Sequence, residues 1–140
     1  MRDITLCHPR LQHLAGQLIE ECGRQGLSIK IGETFRTVAE QDALYAQGRT
    51  EPGNIVTNAP GSNYSSYHQW GTAFDIFRND GAGAYNDSAL FFQRVGAIGM
   101  SLGLEWGGNW KSIMDNPHFQ LPDWGSSTSG IKKVYATPEV

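Results

Sequence analysis

The feature that most constrains the fold of this 140-residue chain is a single carboxylate in the middle of an apolar, strand-like stretch. Asp75 is flanked on both sides by apolar residues, which are Ala73, Phe74, Ile76 and Phe77. Burying an ionised carboxylate in such a strand is costly unless the charge is paired or bound to a metal. A fold that buries residues 72–77 must therefore supply Asp75 with a partner.

Two of the four histidines stand where such a partner is needed. His68 lies seven residues before Asp75, where a loop runs into the predicted strand, and His118 lies at a second loop-to-strand junction. Two imidazoles and one carboxylate, with a fourth position open, form the ligand set of a catalytic zinc site. The pattern predicts zinc at His68, Asp75 and His118, with a purely structural His–Asp pair as the alternative. His8 and His13 are expected to be solvated or to cap the first helix.

A hydrolytic site also needs a base and a group that stabilises the oxyanion. Asp115 stands three residues before His118, so it can face the site without ligating the metal and can act as general base. Glu105 is the alternative for that role. Arg36, beside the predicted capping box of Thr37 and Glu40, can point its guanidinium into the site and stabilise a tetrahedral intermediate.

Hydrophobic periodicity predicts an α+β fold in which helices pack on a small central antiparallel sheet. The long loop over residues 48–66 has little periodicity, and a loop of this length in a compact domain is usually functional. Helices are predicted over 9–25, 37–47 and 87–102, and strands over 27–31, 72–77, 104–106 and 118–121.

Composition narrows the possible partners and compartments. With 39% hydrophobic and 18% charged residues, the chain is expected to be one globular domain over residues 1–140. The net charge of −3 gives no reason to propose nucleic-acid or membrane binding, and we expect a monomer.

The first residues lack the apolar core of a secretory signal, so another route to an extracellular target is expected. Cys7 and Cys22 are expected to be free thiols.

Three separated motifs resemble those of a known family. The pattern Ser66-x-His68-x-x-Gly71-x-Ala73-x-Asp75, followed by Asp115-x-x-His118, resembles the signature of the M15 zinc peptidases. These are the VanY/VanX-type D,D-peptidases and the L-alanyl-D-glutamate endopeptidases of bacteria and phages. The stretch Thr34-Phe35-Arg36-Thr37-x-x-x-Gln41 resembles the family's upstream Arg/Gln segment, so the matches run from about residue 28 to 121.

The resemblance implies a hedgehog/D,D-peptidase-like fold with one zinc ion per chain. His68, Asp75 and His118 would bind the zinc, and Arg36 would steady the carbonyl oxygen of the substrate. Gln41 and Ser66 would line the substrate cleft. The substrate implied is the stem peptide of peptidoglycan, as in the catalytic modules of phage endolysins. Many endolysins carry an added wall-binding domain, for which residues 1–140 leave no room.

The residue three positions before His118, the last proposed ligand, helps to indicate which peptide bond is cut. VanX-like members have Glu there, whereas Asp115 resembles the L-alanyl-D-glutamate endopeptidase branch, which makes Glu105 a structural residue. The nearest alternative is a D-alanyl-D-alanine carboxypeptidase with the same metal site. An alternative of another class is a non-catalytic zinc-containing binding module, which would need neither Asp115 nor Arg36.

Overall fold

The computed structural model describes residues 1–110, 114–123, 128–135 and 138, and these form an α+β fold. Its order of helices and strands agrees with the sequence prediction as far as the last strand, and the predicted antiparallel sheet with packed helices is confirmed. The helix over Ser129–Tyr135 was not predicted. The described elements are α1 (Pro9–Arg24), β1 (Ile29–Ile31), α2 (Val38–Ala46), β2 (Ala73–Arg78), α3 (Phe91–Ser101), β3 (Glu105–Trp106), β4 (His118–Gln120) and α4 (Ser129–Tyr135).

The four strands pair antiparallel in the order β1-β2-β4-β3. Phe74 of β2 is the register partner of Phe119 of β4, and their rings stack with centroids 5.7 Å apart. Both rings are fully buried in the hydrophobic core. Because side chains alternate across a strand, Asp75 and His118, one residue along from these rings, point to the opposite face of the sheet.

The core lies between the sheet and the helices α1 and α3. The hydrophobic periodicity of residues 9–25 predicts an apolar stripe on α1, and five of its positions are buried: Leu11, Leu14, Ala15, Leu18 and Cys22. Ile19 belongs to the same predicted stripe, but it is 39% exposed. His8 caps this helix, as its Nδ1 accepts a hydrogen bond from the Arg10 amide at 3.1 Å. From α3, Phe92 and Val95 complete the core. No helix among the described residues is long and apolar enough to cross a membrane.

The capping box predicted for α2 is present. The Glu40 amide donates to Thr37 Oγ1 at 3.1 Å, and the Thr37 amide donates to Glu40 Oε1 at 3.0 Å. This reciprocal pair satisfies two amides that the first turn of a helix leaves without partners. It fixes the start of α2 directly after Arg36.

The predicted start of α3 is wrong by several residues. Ala89 and Leu90 have positive φ angles of 58° and 56°, and this left-handed backbone interrupts the helix until Phe91. Asp87 still supports the first turn, because its Oδ1 accepts a hydrogen bond from the Phe92 amide at 2.9 Å. Asp87 was therefore a valid signal for a helix cap. The left-handed backbone at Ala89 and Leu90, between this cap and the helix, could not be predicted from it.

Candidate metal centre

Antiparallel register brings two of the predicted ligands together. Asp75 of β2 and His118 of β4 are Cα partners, and Asp75 Oδ1 lies 3.3 Å from His118 Nδ1. The third residue, His68, belongs to a 3-10 turn over Tyr67–Trp70 that leads into β2. Its Nε2 lies 3.3 Å from the same Asp75 oxygen. The three candidate ligand atoms all lie within 4.8 Å of one another.

His68 is oriented by the backbone of the segment before α2. Its Nδ1 lies 2.8 Å from the Thr34 carbonyl oxygen, which can only accept, so Nδ1 carries the hydrogen. In the neutral ring Nε2 is then an unprotonated nitrogen, and it faces Asp75 and His118. The Arg36 amide donates to the His68 carbonyl at 3.0 Å, which ties the same two segments together.

The cluster has the properties of a cation site. Asp75 Oδ1 is buried and accepts no hydrogen bond from any described residue, although two imidazole nitrogens lie 3.3 Å away. His68 Nε2 and His118 Nδ1 lie only 3.2 Å apart. A buried carboxylate oxygen in this position is costly without a positive charge. Two nitrogens and one oxygen are ligands that zinc accepts, so the residues fit this metal.

The electrostatics of the cluster favour positive charge between its members. Burial by itself raises the pKa of Asp75, but the charges of His68 and His118 outweigh it and lower the pKa. Burial by itself lowers the pKa of His118, but Asp75 and then Asp115 outweigh it and raise the pKa. A proton or a metal ion would supply the same missing charge, and the two would compete for it.

Asp115 lies on the Nδ1 side of the His118 ring, which is also the side of Asp75. Its Oδ2 lies 3.9 Å from His118 Nδ1, and its side chain is 41% exposed, so solvent reaches it. Burial and then the charge of Asp75 raise the pKa of Asp115. The turn depends on Gly107, since a Cβ there would lie 2.5 Å from the Asp115 carbonyl oxygen. The arrangement gives Asp115 the location of a general base.

Glu105 lies on the other side of His118 and does not share that location. Its Oε2 accepts a hydrogen bond from Gln120 Nε2 at 2.7 Å, and Gln120 Oε1 lies 2.7 Å from His118 Nε2. Since Asp75 and Asp115 both face Nδ1, Glu105 is separated from them by the imidazole ring and by Gln120. This placement favours Asp115 over Glu105 as the base.

Arg36 is held by the residue that was predicted to line the substrate cleft. Arg36 is 8% exposed, and its Nη1 donates to Gln41 Oε1 at 2.8 Å. Gln41 is fully buried and donates from Nε2 to the Ala59 carbonyl at 2.8 Å. Gln41 therefore anchors Arg36 and the loop after α2, and its predicted place in the lining of the substrate cleft stays a prediction. Ser66 is half-buried at the start of the turn that carries His68, so it keeps an accessible position.

Three residues near the cluster were not predicted as part of the site. Thr34 orients His68 through its carbonyl, Gln120 contacts His118, and the Trp110 ring lies 4.8 Å from the His118 ring, centroid to centroid. For Gln120 a signal existed, because it lies two residues after His118 and residues two apart share one face of a strand.

Comparison with known proteins gives one family match and several relatives. A family profile described as D-alanyl-D-alanine carboxypeptidase matches residues 60–121. The peptidoglycan L-alanyl-D-glutamate endopeptidase CwlK of Bacillus subtilis is 39% identical over 124 residues, covering 81% of this chain and 72% of CwlK. The L-alanyl-D-glutamate peptidase of Listeria phage A118 is 31% identical over 127 residues, covering 88% of this chain but only 41% of the phage protein.

Solved structures show the same fold at lower identity. The L-Ala D-Glu endopeptidase ChiX of Serratia marcescens aligns with a TM-score of 0.62 and 22% identity, covering 84% of this chain and 82% of ChiX. The vancomycin resistance D,D-pentapeptidase VanY, solved in complex with Zn(II), aligns with a TM-score of 0.60 and 16% identity. That alignment covers 82% of this chain and 72% of VanY.

Proposed function

This chain belongs to the M15 peptidase family, and we propose that it hydrolyses the stem peptide of bacterial peptidoglycan at the L-alanyl-D-glutamate bond with one zinc ion. The observation that carries the proposal is the buried Asp75 oxygen, which lies between two imidazole nitrogens and has no hydrogen-bond donor in the part of the chain that the structure describes. The choice of bond is supported by the named activities of the CwlK and phage relatives.

The proposed ligands are His68, Asp75 and His118. When bound there, zinc would supply Lewis-acid chemistry, polarising the scissile carbonyl and making water more acidic. The protein contributes three preset donors, each held by the backbone or by a neighbouring strand. Because β2 and β4 form the sheet itself, two of the three donors are held on its rigid frame.

Asp115 is proposed to move the proton. It would accept a proton from the attacking water and deliver it to the leaving amine, and its solvent exposure leaves room for both. A base works best when its pKa is near the working pH, and burial beside Asp75 raises the pKa of Asp115 in that direction.

Arg36 is proposed to stabilise negative charge on the substrate carbonyl oxygen. Its positive charge opposes the rise in the pKa of Asp115, so it acts on the same site. The hydrogen bond to Gln41 holds the guanidinium before substrate arrives, and a preorganised donor costs no reorganisation during the reaction. Ser66 is proposed as a substrate contact.

A second candidate is a D-alanyl-D-alanine carboxypeptidase, favoured by the description of the matching family profile. It would use the same residues on the terminal D-alanine. The roles proposed for Asp115 and Arg36 argue against a non-catalytic binding module, which would need neither residue. We further propose that the chain acts on the cell wall as a monomeric single domain.

The test is mass spectrometry of fragments released from purified peptidoglycan, with and without a zinc chelator. Chelator-sensitive fragments with a new N-terminal D-glutamate are expected. Release of D-alanine alone would replace the proposal with the carboxypeptidase. No release from several wall types, despite one bound zinc, would leave the binding module as the better explanation.

A further inference from the structure

A chain of three polar side chains runs along the site face of the sheet and ends at the ring of His118. Gln120 is two residues after His118 in β4, and Glu105 of β3 is the Cα register partner of Gln120. The Gln120 Oε1 to His118 Nε2 distance and the Gln120 Nε2 to Glu105 Oε2 distance are both 2.7 Å. Gln120 is 1% exposed and His118 is 4% exposed, so water is kept from the first contact.

The direction of these hydrogen bonds follows from the chemistry of the groups. A carboxylate only accepts, so Gln120 must turn its NH₂ toward Glu105. Its carbonyl oxygen must then face His118, and this oxygen also only accepts. His118 Nε2 therefore carries a hydrogen. In the neutral ring Nδ1 is left unprotonated, and Nδ1 is the atom beside Asp75 and His68.

His68 and His118 each leave one ring nitrogen free for a cation, but different groups hold the hydrogen on the other nitrogen. For His68 the hydrogen is fixed on the outer nitrogen by the Thr34 backbone carbonyl, which no side-chain substitution removes. For His118 the corresponding acceptor is a side chain, and its own orientation depends on Glu105. A ring that donates its second N–H to such a partner is held in one orientation and binds a metal more strongly.

We propose that Gln120 and Glu105 are positioning residues that hold His118 with Nδ1 free for a divalent cation, Glu105 acting through the orientation of Gln120. This inference rests on the proposed function and extends it to two residues outside the ligand set. Glu105 lies on the Nε2 side of the His118 ring, away from the position proposed for the base. The inference gives it a role in metal affinity instead. The negative charge of Glu105 also favours the electron-rich state of the imidazole that a cation requires.

The experiment measures the dissociation constant for Zn²⁺ alone by competition with a chromogenic chelator, on the full chain and without substrate. Gln120→Leu leaves the His118 N–H without an acceptor, and Glu105→Leu removes the acceptor that orients Gln120. Each is expected to weaken zinc binding, by about 10- to 100-fold for Gln120→Leu. In the double variant, Glu105→Leu is expected to add nothing, because its effect passes through Gln120.

A core substitution away from the site, Val95→Ala, is the matched control for lost stability. It is expected to lower the melting temperature without changing zinc affinity. A folded Gln120→Leu variant with the wild-type dissociation constant would overturn the inference. The inference would also be overturned if the double variant weakened zinc binding by the product of the two separate effects. If Gln120→Leu does not fold, Glu105→Leu decides alone, and unchanged zinc affinity in that variant refutes the inference. If the wild-type chain itself binds no zinc, the proposed function is refuted, and this inference is refuted with it.

Discussion

Asp75 and His118 are register partners in adjacent antiparallel strands, and the contact between Asp75 Oδ1 and His118 Nδ1, 3.3 Å, follows from that register. A shift of one residue between β2 and β4 would turn one of the two side chains toward the core. The stacked rings of Phe74 and Phe119, one residue along on the other face, resist such a shift. Core packing and the candidate metal centre therefore depend on the same register.

Asp75→Asn is expected to abolish stoichiometric zinc binding while the fold is kept. The substitution preserves shape but removes the negative charge that two imidazole nitrogens face. Zinc content after dialysis, measured by elemental mass spectrometry, checks this against one ion in the wild-type chain. Asp123→Asn is the matched control, since Asp123 pairs with Arg10 on the surface. Retention of one tightly held zinc by Asp75→Asn would contradict the ligand assignment.

Asp115→Ala is expected to lower kcat by about 10²- to 10⁴-fold, the usual contribution of a general base. Zinc content should not change, because Asp115 is not one of the three residues whose candidate ligand atoms all lie within 4.8 Å of one another. Peptide release is measured beside metal content on the same sample. Asp80→Asn, at a surface pair with Arg78, serves as control. Unchanged kcat in Asp115→Ala would remove the base assignment.

Gln41→Leu is expected to lower kcat by about 10- to 100-fold through displacement of the Arg36 guanidinium. Gln41 is fully buried and accepts a hydrogen bond from Arg36 Nη1 at 2.8 Å, so we expect the variant to act through Arg36. The measurement is kcat with zinc content as a second readout, which should stay at one ion per chain. Gln17→Ala on the exposed side of α1 is the control. A Gln41→Leu enzyme as active as wild type would show that Arg36 needs no such anchor.

Gly99→Ala is expected to destabilise the protein, and Gly16→Ala is expected to stabilise it. A Cβ at Gly99 would lie 2.4 Å from the Phe119 ring, and overpacking of this kind costs about 1–3 kcal/mol. Gly16 is a helical position with nothing within 4 Å of a Cβ, where Ala gains about 0.5–1 kcal/mol. Chemical denaturation measures both free energies of unfolding. Equal values for the two variants would contradict the packing described here.

Cys7 and Cys22 are expected to resist alkylation in the native protein at pH 7–8. Both are free and buried, and burial raises the pKa of each thiol from 9.0 to about 11, so little thiolate is available. Their contribution to stability is complete below pH 9 and is lost as pH rises from 9 towards 11, because the unfolded thiols ionise first. Thiol labelling followed by mass spectrometry tests this, with urea-unfolded protein as the reactive control. Rapid labelling of the folded chain would count against the buried positions.

Much of the local structure could be predicted because it depends on neighbours in the chain. The stripe of α1 and the capping box of Thr37 and Glu40 are local patterns, and both are present. The start of α3 was missed because left-handed backbone at Ala89 and Leu90 has no local side-chain signal. Gln41 was placed in the cleft by resemblance, yet its burial depends on the loop that returns over it at Ala59.

The sequence by itself determined which residue types are available for chemistry and that Asp75, inside an apolar strand, requires a partner, because the cost of burying a charge depends on little beyond its immediate surroundings. Only the tertiary structure decided which partners it has. The pairing of β2 with β4 places His118 opposite Asp75, and the pairing of β3 with β4 places Glu105 beside Gln120. Strand register is a property of two segments distant in the chain, and it is set by the packing of a whole core. For that reason the ligand candidates could be predicted from their identities, whereas the contacts of His68 with the Thr34 carbonyl and of Gln120 with Glu105 could not.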